Sequence, residues 1–191
     1  MMVDQWFWSI ERGAGFFLVL GFVANLAGVL MFTIRGGAGG GTPPSHTFFA
    51  WERSFILAAV VLTAIGFVLL EGPLHNTDGR LLARTGATAY LFAGILVVAA
   101  ESLILSTGYD ERQVYALIVV YVVLAFLAQA AIGGALLQSG LLAAWIGWVT
   151  ILWNLAWLVV LVVITPEDIY FPILHHLIPL LIGGALLWRA P

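Results

Sequence analysis

An all-α, polytopic integral membrane protein, folded as a six-helix transmembrane bundle, is what the sequence predicts, and three observations predict it. The 191 residues are 62% hydrophobic and only 9% charged, whereas about a quarter of a soluble domain is charged. The apolar residues gather into six runs, each close to the roughly 20 residues that a helix needs to cross a bilayer. None of the runs alternates polar and apolar positions in the manner of a barrel strand. Cysteine is absent and all seven basic residues are arginine, so disulfide and thiolate chemistry are excluded. The formal net charge of −3 is dispersed along the chain and offers no basic patch to nucleic acid. Asp4 and Glu11 stand where a signal peptide would be basic.

In chain order the predicted spans are 14–34, 54–70, 81–105, 114–137, 141–164 and 169–188, a single domain over 1–191. Trp6, Phe7 and Trp8 lead into the first, and Phe48, Phe49 and Trp51 into the second. The longest connection, 36–45, is a glycine run closed by Pro43 and Pro44. The others, 72–80, 107–113 and 138–140, are short. No connection is long enough to fold by itself, so a functional site lies in the bundle, at its surface or on a partner. Six spans put both termini on one side. Arg12, Arg80, Arg84 and Arg189 fall on that side, against Arg35, Arg53 and Arg112 on the other, which points the termini to the cytoplasm. The missing lysine and the abundance of Ala, Gly, Leu and Val point to a bacterial cytoplasmic membrane.

Glu-Arg recurs at Glu11-Arg12, Glu52-Arg53 and Glu111-Arg112, each time just before a span. Glutamate suits a helix N-terminus and arginine snorkels to the interface, so the recurrence is first read as a helix-entry device. Asn25, Gln129 and Asn154 lie near the middle of the first, fourth and fifth spans. A carboxamide facing lipid leaves its donors and acceptors unpaired, and small residues beside each let another helix approach. All three are expected to face the interior, as interhelical glue or as the lining of a small pocket.

Glu101 is the one carboxylate well inside a span, on a stripe with Ala87 and Gly94. It matches His175 and His176 in depth within one turn, about four residues inside the end of the third span against about six inside the start of the sixth. Glu52 and Arg53 open the second span on that same side. These five residues are therefore the candidates for one polar cluster, a ligand site or proton relay, since intramembrane ionisable groups are functional candidates by default. Thr165 to Asp168 reads as a helix start, and Pro179, which lacks an N–H, predicts a kink beside the histidines.

The pattern assigns no catalytic residue, metal or cofactor. His46 and His75 fall in predicted loops, and His175 and His176 point about 100° apart, unlike a pair of haem ligands. No second histidine sits at i+4 for an HExxH zinc site. The expected partners are the lipid bilayer and other membrane subunits or a second copy of the chain. The first functional expectation is a non-catalytic accessory or structural subunit of a membrane assembly. The alternative is a small transporter or small-molecule-binding membrane protein with an intramembrane Glu/His site; an enzyme acting on a lipid or quinone ranks third.

Overall fold

The computed structural model describes residues 9–35, 45–107, 111–164 and 171–189. They are helical throughout, apart from short turns. Helix α1 spans Ile10–Ile34, α2 His46–Leu74, α3 Arg80–Thr107, α4 Glu111–Ser139 and α5 Ala144–Ile164. A 3-10 helix, Phe171–His176, then leads into α6, Leu177–Trp188. The first five α-helices are long and apolar enough to cross a membrane; α6 is shorter.

Two sequence boundaries are corrected. Helix α2 begins at His46, where the Ser45 side chain accepts a hydrogen bond from the Phe48 amide at 3.1 Å. The cap adds two turns ahead of the predicted span, so Phe48, Phe49 and Trp51 are helical and His46 opens a helix rather than lying in a loop. The second correction is larger: the run 169–188 is not one continuous α-helix. Its α-helical part has 12 residues, about 18 Å long, and the histidines end the 3-10 segment before it. Pro179 accounts for this physically. It falls in the first turn of α6, where a missing N–H breaks no helical bond, so the chain changes helix type instead of kinking. The proposed start at Thr165 to Asp168 lies outside the described residues.

Neighbours in sequence pack together from α1 to α5, and α6 returns to lie against α1. The 3-10 helix touches both α1 and α4, while α5 meets α6 lightly. The core runs through Leu18, Val60, Phe67, Phe126, Ile132 and Ile182. Outward-facing Val23, Leu91, Ile95, Leu152, Val159 and Val162 are exposed, which is the pattern for a bundle whose solvent is hydrocarbon. At one end of the bundle Ile10 lies beside Gly72, and Arg189 Nη1 donates to the Leu141 carbonyl at 2.7 Å.

The α1–α6 seam is the closest backbone approach involving the last helix. A Cβ added at Gly183 would stand 2.7 Å from the Gly15 carbonyl oxygen, and one at Gly15 would stand 2.8 Å from that of Gly183. Neither obstacle is a movable side chain. The adjacent Gly184 has open space, with nothing within 4 Å. Gly183→Ala should therefore destabilise the protein by about 1–3 kcal/mol through overpacking. Gly184→Ala should be neutral or stabilising by up to about 1 kcal/mol through helix propensity. Thermal unfolding in detergent checks the pair, and equal effects would remove the seam from the account.

Candidate functional site

Two groups of buried polar side chains stand out in the bundle. The first lies near the end where α1 finishes and α2 begins. Glu52 and Arg53 are successive residues, so on a helix they point about 100° apart and serve different neighbours. Glu52 pairs with Arg35 at the end of α1: Nη2 donates to Oε1 at 3.2 Å, and Nε stands 3.1 Å from Oε2. Arg53 turns the other way, and its Nη1 donates to Glu101 Oε1 of α3 at 3.1 Å. Both guanidinium groups also lie over the Phe49 ring, Arg53 at 5.0 Å and Arg35 at 5.5 Å from its centroid. Arg53 is 0% exposed and Glu101 1%. Arg53 thus does not snorkel, because the early start of α2 carries it into the interior, where only a carboxylate can compensate its charge. The side chains of Glu111 and Arg112 lie outside the described residues.

The second layer is deeper and centres on the two histidines. His175 Nε2 lies 3.2 Å from the Tyr90 hydroxyl of α3 and 3.0 Å from the Tyr121 hydroxyl of α4. The Phe126 ring closes its other side at 5.8 Å, edge to face. Tyr90 also engages the hydroxyls of Thr63 and Tyr121. His176 Nδ1 is 3.5 Å from Thr63 Oγ1 of α2, and the two imidazole centroids are 4.1 Å apart. Both histidines are 2% exposed and Thr63 is fully buried. The backbone beside them is tied to α5, whose Trp153 Nε1 donates to the Leu174 carbonyl at 3.1 Å. Side chains from α2, α3 and α4 therefore converge on the 3-10 segment.

The two layers are separate levels. Glu101 is joined to Arg53 and His176 to Thr63, ten residues further along α2, a rise of about 15 Å. The change to a 3-10 helix, rising about 2.0 Å per residue rather than 1.5, shifts the imidazoles by only about 3 Å over its six residues. The ion partner of Glu101 is Arg53 rather than an imidazole. Tyr121, on the histidine level, remains within electrostatic reach of Glu101.

Asn25 is 4% exposed, and Gln129 and Asn154 are 0% exposed. Asn154 Nδ2 donates to the Thr150 carbonyl within its own helix at 2.7 Å. Residue reading of the sequence overlooked Tyr90, Tyr121 and Thr63. A signal for Tyr90 was present, since it lies three residues after Ala87 and four before Gly94, on the stripe that leads to Glu101. Tyr121 had no comparable signal, because a tyrosine in a span reads as an interfacial aromatic. Compared with known protein families, with curated proteins and with solved structures, the chain finds no match.

A buried ion pair that loses one member leaves an uncompensated charge, at a cost of about 3–5 kcal/mol. Arg53→Met should therefore destabilise the protein by that amount. Adding Glu101→Gln to it should recover most of the loss, because the stranded carboxylate is then gone. Chemical denaturation of the wild type, both single variants and the double variant measures the coupling, and a double variant no more stable than Arg53→Met would mean that the pair is not coupled.

Proposed function

We propose that the protein is a small membrane transporter or small-molecule-binding protein that handles a proton at His175, with Tyr90 and Tyr121 as its relay partners. The observation that carries this reading is one ring nitrogen with two hydroxyl partners, all buried. A single imidazole nitrogen offers either one N–H or one lone pair. It makes one strong hydrogen bond at a time, and the second hydroxyl bonds to the first. The proton at this centre then has alternative positions, with Nε2 donating to a phenol oxygen or accepting from a phenol hydroxyl. Exchange between these arrangements takes hydroxyl rotation together with loss of a proton at one ring nitrogen and gain of one at the other, which the handled proton supplies. The close His176 ring sets a limit: two imidazoles at 4.1 Å repel when both are charged, so the centre carries one positive charge at most. In this reading Arg53 and Glu101 hold the field near Tyr121 and do not themselves exchange the proton.

The membrane is the bacterial cytoplasmic membrane, with both termini inside. The arginine distribution and the composition of the chain support this placement. A second reading, an accessory subunit of a larger membrane assembly, is favoured by α5. This helix packs chiefly on α4 and presents Trp145, Trp148, Leu152, Val162 and Val163 outward, a face suited to lipid or to a neighbouring membrane helix.

Proton uptake by liposomes enclosing a pH-sensitive dye tests the first reading. Wild-type protein should conduct protons down a pH gradient faster than protein-free vesicles, alone or together with a small solute. His175→Gln should abolish the flux while leaving the melting temperature within a few degrees of wild type, and Tyr121→Phe should reduce it. Wild-type vesicles as tight as empty ones across a solute panel, with companion subunits retained in a gentle extract, would favour the accessory subunit.

A further inference from the structure

The α4–α5 interface carries a polar site apart from the histidine centre. The two helices approach closely where Gly133 faces Gly147 and Thr150. A Cβ at Gly133 would stand 2.9 Å from the Gly147 carbonyl oxygen and 2.9 Å from the Thr150 Cβ. The helices run antiparallel, so the next turn brings Gln129, four residues before Gly133, level with Asn154, four residues after Thr150. Both amides are 0% exposed. Among the described residues neither Gln129 Nε2 nor Oε1 has a hydrogen-bond partner, and Asn154 Oδ1 has none. The groups that might have satisfied them are committed elsewhere. Asn154 Nδ2 donates to the Thr150 carbonyl at 2.7 Å, and the Thr150 hydroxyl donates to the Ile146 carbonyl at 2.8 Å.

Unsatisfied polar groups of this kind are costly in an apolar medium. Three of them on facing turns define a complementary molecule. Gln129 Nε2 needs an acceptor, while Gln129 Oε1 and Asn154 Oδ1 each need a donor. The other buried residues of α4 and α5 are uncharged, so nothing here selects an ion. We propose that Gln129 and Asn154 form a binding site for a small neutral molecule presenting two hydrogen-bond donors and one acceptor. Water is the smallest molecule able to meet that pattern, and a primary amide such as acetamide is a small organic solute with it. A primary amide pairs in a ring with the Gln129 carboxamide and gives its remaining N–H to Asn154. The site stands independently of proton handling at His175.

Solid-state NMR on the full-length, isotope-labelled protein in lipid bilayers tests it, with Gln129→Leu used to assign the Gln129 side-chain amide. Magnetisation from water should reach that amide several-fold faster than it reaches the backbone amide of Ala128, which is 1% exposed and serves as the dry reference. Asn154→Leu should slow the transfer several-fold by removing one of the acceptors. Titration with labelled acetamide separates the two occupants. A through-space contact from acetamide to Gln129, with loss of the water signal, identifies an amide site; an unchanged water signal identifies a hydration site. Transfer as slow as at Ala128 together with no acetamide contact overturns the proposal, as does a direct Gln129–Asn154 hydrogen bond in a dry interface. The wild-type measurement decides this even where a variant fails to fold.

Discussion

A polar group inside this bundle has no bulk water to turn to, and the buried interhelical bonds follow from that constraint. Arg35 joins α1 to α2 through Glu52, and Arg53 joins α2 to α3 through Glu101. Tyr90 and Tyr121 join α3 and α4 to His175, and Trp153 joins α5 to the same short segment. Apolar contacts between helices do not distinguish one neighbour from another when lipid tails are equally apolar. The polar contacts do distinguish them, because a wrong neighbour leaves a charge or a hydroxyl stranded. These polar contacts add to the close glycine packing, as at Gly15 and Gly183, in fixing which helices are neighbours.

Much of this was legible in the sequence, and the parts that were not have identifiable causes. Run length and composition suffice for an all-helical bundle with membrane-spanning helices, because both are summed over many residues. Glu101 stood out because a carboxylate in a span is rare. Its partner did not follow, since depth along a helix says nothing of which helices are neighbours, and the neighbours give Glu101 to Arg53 and the imidazoles to Tyr90, Tyr121 and Thr63. Tyr121 lay hidden for a different reason: one aromatic ring serves equally as filler, as an interface anchor or as a proton donor, and only its surroundings decide which.

The two layers differ in chemical character. The Arg53–Glu101 pair is held by opposite charges, and its geometry leaves little to rearrange. The histidine centre is built from imidazole nitrogens and the hydroxyls of Tyr90, Tyr121 and Thr63. Phe49, lying against both guanidinium groups, keeps the ionic layer compact without adding a further titratable group.

The Gly15–Gly183 crossing has a consequence for biogenesis. It joins α1 to α6, so the contact forms only after α6 has been made. Until then the face of α1 that receives α6 lacks that partner, although the groups that meet the histidines, on α2, α3 and α4, are already made. Assembly of the polar centre therefore waits on synthesis of the 3-10 segment, after the five long helices. A ribosome that stalls within the fifth span leaves an inserted protein whose Tyr90 and Tyr121 lack their imidazole. Quality-control proteases that recognise unpaired polar groups in the bilayer have a clear mark by which to tell that product from the finished one.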